Sequence, residues 1–285
     1  MRQVILIHAH KDLEQLNGLV GQLVDDEFLI YVNVDAKSAI DVAGLHPAAR
    51  LVRRRIAIHW GDFSQVQATL NSIAQIVAEV NTFDKLVFIS AQDFPLLPNR
   101  RFKDALTALA GHELLDCVQV GPQGWSCAQR YQYFYRAGGG ALALACRLAN
   151  RAMRIGGLTR GMVYGWQAWG GSSWWTLSRA CVHMIITLVR ADPAIAQFFR
   201  SVSCPDELFF QTLVMNSPFR ARVLSDNFRH IQWISAGARN PKVLDEGDFE
   251  AIRESTAHFC RKLDPLASAG LLPLLQRLRQ SREPA

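Results

Sequence analysis

Two neighbouring carboxylates, Asp206 and Glu207, follow a proline in Cys204-Pro205-Asp206-Glu207-Leu208-Phe209-Phe210-Gln211-Thr212. Proline suits the first helical position, because its missing N–H would find no intrahelical partner there. Acidic side chains in a first turn are favoured by the positive end of the helix dipole. Leu208, Phe209, Leu213 and Val214 follow with a spacing that buries one face. The stretch therefore reads as a helix entry with a carboxylate at its mouth, able to take a proton from a substrate hydroxyl. Helix starts are routinely acidic, so the pair alone decides nothing.

Three chemistries can be weighed around it. A metal-dependent hydrolase would use His8, His10 and Asp93, with Asp35 and His59 as further ligands. Such a site needs about three or four protein ligands, and no second paired-histidine motif is present. Nucleophilic catalysis has no Gly-x-Ser-x-Gly elbow, and Gly138-Gly139-Gly140 lacks the spacing of a dinucleotide loop. Transfer of a sugar from a nucleotide uses more of the chain. Glu207 would be the base, and the departing diphosphate would need positive charge beside it. Many such enzymes hold a divalent metal with Asp-x-Asp, which occurs nowhere here. Cations would have to replace it, and Arg239, Arg261 and Lys262 lie in the right part of the chain. A non-catalytic sugar-binding module is the remaining alternative.

The elements that must position these groups follow from hydrophobic pattern. Val4 to Ile7 is a continuous apolar run, as in a buried parallel strand. A helical pattern over 13–23 and a strand over 28–34 complete a βαβ opening. Ligands bind at the carboxyl ends of such strands, where His8, His10, Lys11 and Asp35 fall. A short strand is predicted over 55–58, a helix over 65–80 and a strand over 86–90 that places Asp93 at its end. A helix over 100–110, a strand over 114–120, and strand 174–178 leading into helix 179–190 come next. Residues 121–175 are rich in glycine and aromatics, among them Trp125, Arg130-Tyr131, Trp166, Trp169 and Trp174. These aromatics are either core or platforms for sugar rings. An extended piece over 227–233, a short helix from Glu250 and an amphipathic helix over 271–279 close the chain.

Composition narrows the classes. The 285 residues are 49% hydrophobic, enough for a sizeable core, with no apolar run near the roughly 20 residues of a membrane span. The start reads as a first strand rather than a signal peptide. Six scattered cysteines show no zinc or disulfide pattern, which points to a reducing cytoplasm. The net charge of +6 suits phosphate-bearing partners or a membrane surface. No aromatic interleaving or finger spacing favours nucleic acid.

Seven ordered stretches resemble one family, the family 14 glycosyltransferases (core-2 and I-branching β-1,6-N-acetylglucosaminyltransferases and peptide O-xylosyltransferases). They are His8 to Asp12, Ile30 to Lys37, Trp60 to Leu70, Ser90 to Leu96, Gly171 to Arg179, Pro205 to Thr212 and Phe259 to Asp264. The resemblance implies an α/β, GT-A-like single domain, with a mostly parallel Rossmann-like central sheet flanked by helices. Within it, 1–115 would be the nucleotide-sugar-binding half, 116–265 the acceptor and catalytic half, and 266–285 a C-terminal helix and tail. It implies an inverting transfer of N-acetylglucosamine or xylose from a UDP-sugar to a glycan or lipid-linked saccharide hydroxyl, with no metal or other cofactor. Glu207 would be the base and Arg239 and Lys262 the contacts to the donor diphosphate. His8, Asp35, Trp60 and Asp93 fall in the donor-binding part, and Arg130, Tyr131, Trp166 and Trp174 in the acceptor part. The animal members carry a membrane anchor, a stem and paired lumenal cysteines that this sequence does not show. It therefore looks like a compact bacterial-type relative, expected in the cytoplasm with peripheral contact of its basic tail at the inner membrane.

Overall fold

The computed structural model describes residues 2–235, 238 and 240–283. In chain order the elements are β1 (Gln3–Ala9), α1 (Leu13–Gln22), β2 (Phe28–Val34), β3 (Ala49–Leu51), α2 (Ser64–Glu79), β4 (Lys85–Ser90), β5 (Phe94–Pro95) and α3 (Asn99–Ala108). Next come β6 (Glu113–Leu115), β7 (Val118–Gln119), α4 (Gln129–Gln132), α5 (Ala141–Ile155), β8 (Trp169–Gly170), β9 (Trp175–Ser178), α6 (Arg179–Ala191) and α7 (Pro193–Phe199). The chain ends with α8 (Phe209–Met215), β10 (Val223–Leu224), β11 (Arg229–Ile231), α9 (Phe249–Glu254), β12 (Phe259–Arg261) and α10 (Leu271–Ser281).

Seven strands form a central sheet in the order β10-β6-β9-β4-β1-β2-β3. The pairs β4-β1, β1-β2, β2-β3 and β10-β6 are parallel, and β9 runs antiparallel to both its neighbours. This is the mostly parallel α/β sheet expected. Every residue of β1 and β4 is buried, which is why the middles of both, residues 4–7 and 86–89, read as unbroken apolar runs. Side chains alternate across the sheet. Val4 and Leu6 join one core with α2, α6 and α8, whereas Ile5 and Ile7 join a second with α1 and α3.

A smaller sheet, β11-β12-β5, shares a third core with α9 and α10. Helix α10 buries Leu271 and Leu275 completely, so the apolar face of the tail helix is committed to this core. Arg279 donates to the carbonyls of Leu97 and Gln22, and Arg282 to that of Arg253. Among the described residues no single helix is long and apolar enough to cross a membrane.

Four local expectations need correction. Residues 55–58 are not a strand. The edge strand is β3, whose Ala-Arg-Leu pattern carries no apolar run, and 56–58 is a loop held by Ala36 N–H to Ile56 O and Ile58 N–H to the Asp35 carboxylate. The predicted strand 114–120 is broken into β6 and β7, which belong to different sheets. Helix α5 lies inside the glycine-rich region where no helix is predicted. Finally, Pro205 does not open the long helix. Residues Pro205–Glu207 form a separate 3-10 turn, and α8 begins only at Phe209. Cys204 precedes the turn in the left-handed region (φ 48°), a conformation both side chains and a following proline disfavour.

Candidate functional site

The turn that carries Glu207 is fastened to the segment before β9. Gly171 N–H donates to Glu207 O (2.9 Å), Ser173 Oγ to the Asp206 carboxylate (2.7 Å), and Gln211 Nε2 to Ser172 O (2.6 Å). Thr212 adds a pair of bonds, accepting from Trp169 N–H and donating to Trp169 O. On the other side Cys204 N–H donates to Gly61 O (3.0 Å), joining the turn to the loop before α2. Asp206, Gln211 and Thr212 are therefore spent on holding the turn in place. Glu207 has its backbone fixed in the same way, while its side chain stays 29% exposed.

That carboxylate forms an ion pair with Arg130 from α4. The Arg130 guanidinium also lies 4.6 Å over the Trp125 ring. Trp125 in turn lies against β8 at Gly170, where a Cβ would stand 2.5 Å from the ring. Gly170, Trp125, Arg130 and Glu207 thus form one chain of contacts. Burial raises the pKa of Glu207, and the neighbouring Asp206 raises it further, while Arg130 pulls it back down. A carboxylate so placed is a better proton acceptor at neutral pH than an exposed one. Asp206 is also raised by burial, against the bond from Ser173.

The second group of residues gathers at the carboxyl ends of β1, β2 and β4. Asp35 caps β2, accepting from Lys37 N–H (3.0 Å) and Ile58 N–H (3.1 Å). Asp35, Lys11, Lys37 and Lys262 all lie within electrostatic reach of His10, and Lys11 lies within reach of Lys262. Burial lowers the pKa of His10, with Lys262 and Lys11 adding to it, and burial, Arg261 and Lys11 likewise lower that of Lys262. Positive groups outnumber their counter-charges here, which is the electrostatic condition of an anion site.

Asp93 is wholly buried and accepts from Ser90 Oγ (3.0 Å) and Ser90 N–H, with Arg261 Nε at 3.3 Å. Arg261 lies 4.3 Å over the Trp174 ring, and a second buried cation, Arg229, donates to Phe88 O (3.1 Å). Burial lowers the pKa of Arg229 to about 10 against the pull of Asp93. Trp174 is the neighbour of Ser173, so one segment touches both the Arg261 group and the Asp206-Glu207 turn.

The remaining predicted residues are placed as follows. His8 is buried against Phe88 (4.7 Å between rings) and beside Asn33 and Gln65; burial lowers its pKa to about 3, so it is neutral. Among the described residues no group of three or more His, Cys, Asp or Glu could hold a metal ion. Trp60 is 63% exposed and borders a cleft of about 550 Å³ with His59, Tyr135, Arg136 and Arg200. Tyr131 and Trp166 pack partly against the main core, Trp166 edge-on to Tyr164 (5.6 Å). Trp174 stands with Arg261 rather than with Arg130. Arg239 lies outside the described residues.

Sequence reasoning gives no role to Ser173 or Gly170, and reads Trp125 and Tyr135 only as members of an aromatic-rich region that is either core or a platform for sugar rings. Only the Gly170-Gly171 pair carried a usable signal, because adjacent glycines often mark close approach of two backbones. A Cβ on Gly171 would stand 2.1 Å from Asp116 O.

With this geometry in hand, comparison with known proteins is informative. A family model described as Core-2/I-Branching enzyme matches residues 6–263. Xylosyltransferase oxt of Drosophila melanogaster is 23% identical over 290 residues, covering 93% of this chain and 32% of the fly protein. Xylosyltransferase sqv-6 of Caenorhabditis elegans is 24% identical, covering 71% of this chain and 25% of its own length. Xylosyltransferase 1 of Homo sapiens is 25% identical, covering 81% of this chain and 24% of the human protein. The chain thus spans about a third or less of the length of these relatives.

Proposed function

The chain belongs to the Core-2/I-branching enzyme family, and from that premise we propose that it is an inverting glycosyltransferase that moves N-acetylglucosamine or xylose from a UDP-sugar to an acceptor hydroxyl without a metal ion. The acceptor oxygen attacks the anomeric carbon while its proton passes to Glu207. The bond from that carbon to the diphosphate oxygen breaks on the opposite face, and its electron pair leaves with UDP. Lys262 offsets the growing negative charge, together with Arg239. Asp93 acts by holding Arg261 in place beside Lys262.

One observation carries the reading above all. The turn that bears Glu207 is bonded on both sides, yet the glutamate side chain remains partly exposed with a raised pKa. A general base needs this combination of fixed position and readily taken proton. The surplus of cations at the strand ends supports the diphosphate role of Lys262. The cleft beside Trp60 has room for sugar units, and Tyr135 supplies a second ring.

The test is a screen of UDP-sugars for transfer and slow donor hydrolysis by purified protein, with and without a chelator. Turnover of UDP-N-acetylglucosamine or UDP-xylose that survives the chelator supports the proposal. Activity that vanishes and returns with a divalent ion would overturn its metal-free part. Complete inertness toward every donor, with sugar binding retained, would favour the binding module.

A further inference from the structure

Helix α5 presents its apolar side to solvent. Ala143 is buried and Cys146, Asn150 and Met153 are half-buried, so these four mark the inner face. Ala141, Ala145, Leu148, Ala152 and Ile155 line the opposite face at helical spacing, flanked by Leu144. Leu148 is 59% exposed and Ile155 80%, and Leu158 just beyond the helix is 62% exposed. An outward face made only of Ala, Leu and Ile is the reverse of what a surface helix usually shows.

Charge says what covers it. Arg147, Arg151 and Arg154 run along one flank of that face, and the helix contains no Asp or Glu. Between Asp116 and Asp192 the chain carries no carboxylate side chain at all. An antiparallel pairing of two copies through this face would set the arginine rows against each other. A helix with an apolar face, a row of arginines and no acid fits an anionic bilayer. Its Leu and Ile side chains enter the boundary between headgroups and acyl chains, and the arginines meet lipid phosphates. We propose that α5 lies in the plane of an anionic membrane surface and is the element that seats this protein on it.

The helix is rigidly attached for such a role. Asn150 donates to Phe134 O (2.7 Å) and accepts from Phe134 N–H (2.8 Å), and Arg154 lies 4.6 Å over Tyr133. The segment Tyr135–Gly138 that leads into α5 is one wall of the cleft beside Trp60. Gly138 and Gly140 enter the helix at φ 79° and 96°, a bend closed to most other residues.

The full chain should float with vesicles of phosphatidylcholine containing phosphatidylglycerol and remain behind with phosphatidylcholine alone, and high salt should weaken the binding. Leu148→Asp and Ile155→Asp should each abolish flotation with the melting temperature unchanged. The double variant Arg147→Glu, Arg151→Glu should lower partitioning at least about tenfold. The proposal is overturned if wild type ignores anionic vesicles, or if the Asp and Glu variants float as well as wild type. It is equally overturned if wild type is a dimer that Leu148→Asp turns into monomers while neither protein floats.

Discussion

Gly171→Ala puts the closest contact of the site to a quantitative test. Its new methyl would stand 2.1 Å from Asp116 O, 2.7 Å from the carbonyl carbon and 3.1 Å from the Asp116 carboxyl carbon. Asp116 directly follows β6, which is paired on both sides by β9 and β10, so its backbone cannot yield cheaply. The 171–173 segment must move instead. Overpacking of this kind costs about 1–3 kcal/mol. The movement also strains two hydrogen bonds, Ser172 N–H to the Asp116 carboxylate (3.1 Å) and Gly171 N–H to Glu207 O (2.9 Å). Each is worth about 1 kcal/mol, so a total loss of about 2–4 kcal/mol is expected. For a chain of this size that lowers Tm by about 4–8 °C. Because the second bond fixes the Glu207 turn, kcat should also fall, by about tenfold to a hundredfold, since small misplacements of a catalytic group are expensive. Gly18→Ala is the control. It lies exposed within α1 with nothing within 4 Å of a new Cβ, and should gain about 0.5–1 kcal/mol. Differential scanning fluorimetry and a transfer assay on the same samples decide the matter. A Gly171→Ala protein that melts and turns over like wild type would refute the claim that this contact positions the base.

Two pH predictions follow from burial. Glu207 acts as a base only when ionised, and its pKa is raised by burial and Asp206, so the acid limb of kcat/KM should lie above the ordinary glutamate value of 4.5. Arg130 opposes that rise, so Arg130→Met should move the limb further up, costing more activity at pH 6 than at pH 8; a limb that stays put or moves down would contradict the pairing. His8 and His258 are both held near pKa 3 by burial, with Arg229 adding to the effect on His258, against 6.5 when unfolded. Their lowered values favour the folded protein fully above pH 6.5, and that contribution is lost as pH falls from 6.5 toward 3. Each histidine costs up to about 1.4 kcal/mol per pH unit in that window. Urea midpoints should therefore fall less steeply for His258→Phe than for wild type between pH 6.5 and 4.5, and parallel curves would refute the assignment.

Much of the fold was legible because the middles of the buried parallel strands are continuous apolar runs, with polar residues mostly at their ends. β1, β2 and β4 and the helices between them appear almost at their true bounds. What escaped has identifiable causes. β3 is a three-residue edge strand with a central arginine, so it has no hydrophobic signature. Helix α5 was hidden because its apolar residues face outward, between glycines that read as loop. The Glu207 turn reads as part of a helix because proline followed by acids is a generic helix start. Its real geometry depends on a left-handed Cys204 bonded to Gly61, a contact distant in sequence. Pairings such as Arg130 with Glu207 likewise join residues whose spacing carries no periodic signal.

The central claim is that Glu207 is the base and that the strand-end cations hold the donor separately from it. The most direct measurement compares Glu207→Gln with Lys262→Ala for sugar transfer and, by titration calorimetry, for UDP affinity. The account predicts that Glu207→Gln loses about 10²–10⁴-fold in kcat with UDP affinity kept. Lys262→Ala should lose about tenfold or more in UDP affinity, as expected for a charge-assisted contact. Full turnover by Glu207→Gln, or UDP bound equally well by Lys262→Ala, would contradict it.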